Sequence, residues 1–220
     1  NPSTGQWSVG GTLTTARFHH TATRLNDGRV LVVGGGDFGG TPNSIANTEI
    51  YSVATNTWSS AGVLAVSRRN HDAVLLPTGD VLVVAGHNSS QAGPIASSVR
   101  YSLSSGNWAP AGNLATPRWI SASVVLPDGS VLACGGYQPS NSIASCERFT
   151  GGTTWSAASP MATPRGGFVM AVTSSGGVVA IGGLTASSGT ARAQTDLRTG
   201  SAWANAPSMG FARGYFQASL

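Results

Sequence analysis

The chain has 220 residues and a mass of 22.2 kDa, enough for one large domain or two small ones. Only 9% of the residues are charged, 40% are hydrophobic and 30 are glycine, a composition that excludes a charge-rich disordered chain; the glycines lack the three-residue period of collagen. All 12 basic residues are arginine, which excludes chemistry that needs a Schiff-base or phosphate-loop lysine, and the +4 charge is dispersed rather than gathered into a nucleic-acid-binding stripe.

In chain order, residues 1–13 read as one strand carrying Trp7. From Arg17 onward one pattern occurs four times: an arginine, an apolar strand, a turn with glycine, a β-branched strand and a pair of small residues. The copies start at Arg17, Arg68, Arg118 and Arg165, each 11 residues before its turn glycine, Gly28, Gly79, Gly129 or Gly176. Asn26-Asp27-Gly28 and Pro127-Asp128-Gly129 supply the positive φ of a tight hairpin. The runs 30–33, 81–84 and 178–181 are β-branched and short enough for buried strands. Gly34-Gly35, Gly135-Gly136 and Gly182-Gly183 close the second strands, with Ala85-Gly86 the variant pair. Loops rich in Gly, Ser, Asn and Pro follow at 36–47, 87–97, 137–144 and 184–194. Each copy ends with a strand reaching Tyr51, Tyr101, Phe149 or Leu197, and then Trp58, Trp108, Trp155 or Trp203. Residues 213–220 match the first strand of a further copy. No segment has a helical period, and a repeat near 50 residues with four short strands is the signature of a propeller blade.

The recurring order of turn glycine, Val-Leu core, glycine pair, aromatic and tryptophan resembles the kelch repeat, in its bacterial and galactose-oxidase-like form. The resemblance covers nearly the whole chain. It implies an all-β fold, a β-propeller of four-stranded antiparallel kelch blades at about 17–60, 68–110, 118–157 and 165–205, with flanking strands at 1–13 and 213–220. Kelch rings usually have six or seven blades, so these four are expected to be part of a larger ring, completed by a longer chain or by a partner. The tryptophans are expected to wedge between blades. The arginines, Arg213 included, are expected to bind carbonyls or acidic groups between blades.

Cys134 and Cys146 stand at the end of one strand and the start of the next, where they can form a disulfide or remain two buried thiols. His20 and His71 share the position three after the arginine, so two imidazoles on adjacent blades with a third ligand would suit copper or zinc; a structural role within the blade is the competing expectation. The galactose-oxidase resemblance implies a copper-ligand tyrosine in Ala212-Arg213-Gly214-Tyr215 and a Tyr-His pair after Arg17. His20 fits that pair, His19 replaces its tyrosine, and no cysteine lies on a neighbouring first strand to make the thioether. His19, His20, His71 and Tyr215 are thus the metal candidates under that alternative, with copper its cofactor; otherwise no cofactor is expected. Asp27, Asp80 and Asp128 lie at turns, and Glu49 and Glu147 share a repeat position, so these carboxylates read as structural. Asn88-Ser-Ser90 fits the N-glycosylation pattern.

The function expected is non-catalytic recognition or scaffolding, with protein or glycan bound through the blade-connecting loops. Asp37, Phe38, Asn43, His87, Asn88, Gln91, Tyr137, Gln138 and Asn141 are the candidate side chains. An extracellular, cell-surface or periplasmic setting is expected, with no nucleic-acid partner and no membrane span. The alternatives are a copper-radical oxidase or other extracellular enzyme, and a structural subunit of a surface assembly whose partner is another copy.

Overall fold

The computed structural model describes residues 3–7, 9–37, 43–91, 93–139, 141–186 and 189–215. Every regular element found among them is a strand, and no helix is long and apolar enough to cross a membrane. Blade 1 holds β1 (Thr21–Arg24), β2 (Val30–Val33), β3 (Asn47–Ser52) and β4 (Thr57–Val63). Blade 2 holds β5 (Asp72–Leu75), β6 (Val81–Val84), the two-residue β7 (His87–Asn88), β8 (Gly93–Tyr101) and β9 (Trp108–Arg118). Blade 3 holds β10 (Ala122–Val125), β11 (Val131–Cys134), β12 (Cys146–Phe149) and β13 (Trp155–Ala158), and blade 4 holds β14 (Val169–Val172), β15 (Val178–Ile181), β16 (Thr195–Thr199) and β17 (Ala202–Ala206). Each is an antiparallel meander in chain order, apart from β7, which adds to the far end of β8. The first strands β1, β5, β10 and β14 lie side by side from blade to blade, which places them on the axis of the propeller.

The second strands show why the sequence reads as unbroken apolar runs. Successive side chains of a strand point to opposite faces, and here both faces are buried. Val81 and Val83 join the cluster between blades 1 and 2, while Leu82 and Val84 join the one between blades 2 and 3. Val131 and Ala133 complete that second cluster, and Leu132 and Cys134 belong to a third, between blades 3 and 4. The core therefore sits in the three seams.

The tryptophans wedge into these seams, half-buried. Each indole N–H donates across to the blade before it: Trp108 to the Ala61 carbonyl at 2.9 Å, Trp155 to Ala111 at 3.1 Å and Trp203 to Ser159 at 3.1 Å. Trp58 does the same to Gly11 at 2.9 Å, although residues 3–7 and 9–13, expected as a strand, form none. Trp7, in the equivalent place, is 98% exposed.

The arginines correct an expectation. The guanidinium groups of Arg17, Arg68, Arg118 and Arg165 each clasp their own blade rather than bridging two. Arg17 donates to the Gly34 and Asn47 carbonyls and pairs with Glu49; Arg118 does so with Gly135, Ser145 and Glu147; Arg165 with Gly182, Gln194 and Asp196. It is the arginine backbone that joins blades, since the carbonyls of Arg68, Arg118, Arg165 and Arg213 accept from Gly35, Gly86, Gly136 and Gly183 of the preceding blade. This contact explains the glycine pair. A Cβ on Gly34 would lie 2.4 Å from the Arg68 oxygen, and one on Gly35 2.9 Å from the Phe18 oxygen.

Blade 4 keeps the register of the other blades, with Val178 paired to Arg198 as Val30 is to Tyr51. Tyr51, Tyr101 and Phe149 each face their blade's tryptophan, but in blade 4 Arg198, not Leu197, faces Trp203. The repeat position thus falls one residue beyond the expected Leu197, whose side chain points to the other face, and the aromatic of the repeat is replaced by an arginine stem.

Candidate functional site

Two residues after each repeat arginine the chain turns through a left-handed backbone conformation. His19, Asn70, Ile120, Gly167 and Tyr215 have φ of 53°, 51°, 52°, 60° and 54°. Only one is glycine, and Ile120 is β-branched, for which this region is strained. The strain is held by a relay of backbone hydrogen bonds from blade to blade. Asn70 N–H donates to His19 at 3.0 Å, Ile120 to Asn70 at 2.9 Å, Gly167 to Ile120 at 3.1 Å and Tyr215 to Gly167 at 2.8 Å. The relay runs along the loop-side mouth of the axis.

The residue before each left-handed one pairs with the residue after the glycine pair: Phe18 with Gly36, Arg69 with His87, Trp119 with Tyr137, Gly166 with Leu184. These pairs place side chains around the mouth. His87 and Trp119 have ring centroids 5.2 Å apart, and Trp119 meets Tyr137 edge-on at 5.9 Å. Tyr137 lies over Gly166, where a Cβ would come within 2.5 Å of its ring, and Tyr215 lies over Gly167. The result is an arc of imidazole, indole and phenol rings crossing blades 2 to 4. Arg69 stands beside His87, with its Nε buried and without a hydrogen-bond partner.

The electrostatics keep the arc neutral apart from Arg69. Burial and then the Arg69 charge lower the pKa of both His19 and His87. Burial, with Tyr215 adding to it, raises the Tyr137 hydroxyl above its ordinary range. Arg69 is therefore the cationic donor in a site of polarizable rings, an arrangement able to stack a flat face and hold an acceptor oxygen, as a bound sugar or peptide requires.

The sequence-derived candidates divide. His87 is in the arc; Tyr137 is in it too but is only 1% exposed, so it backs the arc from below and presents no ring face. Asp37, half-buried, donates its N–H to the Asn43 carbonyl at 3.2 Å, and Gln138 donates its N–H to Asn141 at 2.9 Å, so these four shape the loop ends. Asn88 is 4% exposed; its Nδ2 donates to Ser67 and its Oδ1 accepts from the Gln91 N–H, so it is a buried loop brace and neither a presented ligand group nor an accessible glycosylation acceptor. Phe38 lies outside the described residues. Cys134 and Cys146 are register partners on β11 and β12 and form a disulfide in the blade 3–4 seam.

Of the metal candidates, His71 is buried and shares a 2.8 Å hydrogen bond between its Nε2 and Thr21 of blade 1. Burial, with Arg68 and His20 adding to it, lowers its pKa to about 3. His19 and His20 are exposed, and Tyr215 belongs to the relay. Among the described residues no three His, Cys, Asp or Glu side chains form a group suited to a metal ion. Sequence reasoning missed Arg69, Asn70, Trp119 and Ile120. Their signal was present, as residues that vary widely directly after an arginine that does not.

The kelch motif family model matches residues 17–62, the whole of blade 1. No curated protein matches the chain. Among solved structures, that of YjhT is similar in fold, with a TM-score of 0.80 at 15% sequence identity over 96% of this chain and 76% of that one. With a kelch motif in its first blade and the same four-stranded blade built four times over, the chain has a β-propeller fold.

Proposed function

We propose that the chain is a non-catalytic recognition module whose loop-side mouth binds a glycan, in an extracellular or periplasmic setting. The rings of His87 and Trp119 beside Arg69, backed by the buried Tyr137, carry this reading. Ring faces suit the C–H faces of sugars, and the Arg69 guanidinium suits their oxygens. The disulfide supports an oxidising compartment. A glycan array probed with the folded chain tests the proposal. A defined subset of glycans is expected to be retained, and to be lost at least tenfold in Trp119→Ala and Arg69→Ala while circular dichroism stays unchanged. A blank array, or the same pattern in Trp119→Ala, overturns it.

A further inference from the structure

On the face opposite the mouth, three hairpin turns each bring a carboxylate to an arginine. Asp27 pairs with Arg29 at 2.7 Å, Asp80 with Arg100 at 3.6 Å, and Asp128 with Arg148. Blade 4 breaks the pattern twice. Its turn reads Ser175-Gly176-Gly177 and has no acid, and Arg198 takes the place of the aromatic that faces the tryptophan elsewhere. Among the described residues Arg198 makes no ion pair, and its Nε is buried without a hydrogen-bond partner.

Arg198 and Arg148 line one cleft of about 240 Å³ between the turns of blades 3 and 4, with Pro127, Asp128, Gly176 and Gly200. The single carboxylate there is committed, since Asp128 accepts from the Ser130 amide at 3.0 Å and hydroxyl at 2.6 Å as well as from Arg148. Two guanidinium groups thus share one acid. Burial and then the Arg148 charge lower the pKa of Arg198, consistent with a cation short of a counter-charge. The cleft shares Arg148 and Asp128 with a larger one of about 490 Å³ between blades 2 and 3, which gives room for a group attached to the anion.

We propose that this blade 3–4 seam binds a phosphate or sulfate group held between Arg148 and Arg198. A tetrahedral oxyanion offers one fork two oxygens and leaves another for the second guanidinium, whereas a carboxylate is filled by one fork. This site is independent of the mouth and stands whether or not the mouth binds a glycan.

Isothermal titration with inorganic phosphate and sulfate, at ionic strength fixed with chloride, tests it. One saturable site per chain is expected. Arg198→Gln should weaken it at least tenfold, and Arg198→Lys less, because charge survives without the fork. Asp128→Asn should strengthen it severalfold by releasing Arg148. Arg24→Gln, on the exposed end of β1, should change nothing. A sulfated disaccharide binding more tightly than free sulfate assigns the anion to a glycan, and equal affinity assigns it to a free ion. Absence of saturable heat, equal weakening by Arg24→Gln, weakening by Asp128→Asn, or acetate binding as tightly as phosphate overturns the proposal.

Discussion

Neighbouring residues at the head of β5 respond to pH in opposite directions. His71 is held neutral to about pH 3, below its ordinary 6.5. Its unfolded form takes up a proton first, so its contribution is complete above pH 6.5 and is lost as pH falls toward 3. Burial pushes Asp72 up to about 6 from 3.8, against the hydrogen bond it accepts from the Ala73 amide. Its contribution is complete below pH 3.8 and is lost as pH rises toward 6. Between pH 4 and 6 the two slopes oppose each other. Asp72→Asn should therefore make stability climb with pH more steeply than in the parent and add about 1 kcal/mol at pH 7. His71→Gln should tilt the same window the other way. Urea midpoints measured from pH 4 to 7 check this, and parallel profiles for parent and variants would refute it.

Single elements differ in how fully they meet the repeat. Arg17, Arg118 and Arg165 each have an acid on the third strand, but in blade 2 the position aligned with Glu49 and Glu147 is Val99. Arg68 is fully buried and relies on the Ala85 and Ser97 carbonyls and the Ser97 hydroxyl, and burial lowers its pKa to about 10. An acid there would meet a desolvated cation that lacks the counter-charge its equivalents have, the case in which a buried charge pair is most favourable. Val99→Glu is expected to raise stability by about 1 kcal/mol in urea denaturation. A loss of stability would show that the carboxylate's own desolvation outweighs the pairing.

At the scale of the whole molecule, stability resides in the seams, because the three apolar clusters lie between blades and not within them. Gly112, at φ +78°, lets β9 approach blade 3 so closely that a Cβ would stand 2.0 Å from the Thr153 carbonyl. Gly112→Ala should therefore pry apart one seam. Amide exchange is expected to quicken most in blades 2 and 3, on the strands that flank Leu82 and Val131, and least in the seam around Val178. Uniform quickening over all four blades would mean that the array opens as one unit.

The sequence by itself determined the strand menu, the four-fold repeat, the turn glycines and the wedging tryptophans. These are local or periodic properties, in which every copy votes for the same structure. Arg17 and its equivalents were legible as structural, yet their contacts within one blade were not, since spacing cannot say which carbonyl a long side chain reaches. The candidate site was only half legible. His87 and Tyr137 stood out in a loop, but Arg69, Trp119 and the strained Ile120 lay hidden behind a repeat arginine. Tertiary structure alone decided those, along with the pairing of Cys134 with Cys146 and the meeting of Arg148 with Arg198. Such groups come from different blades, and their distance is set by how the sheets stack around the axis, a quantity that no local pattern encodes.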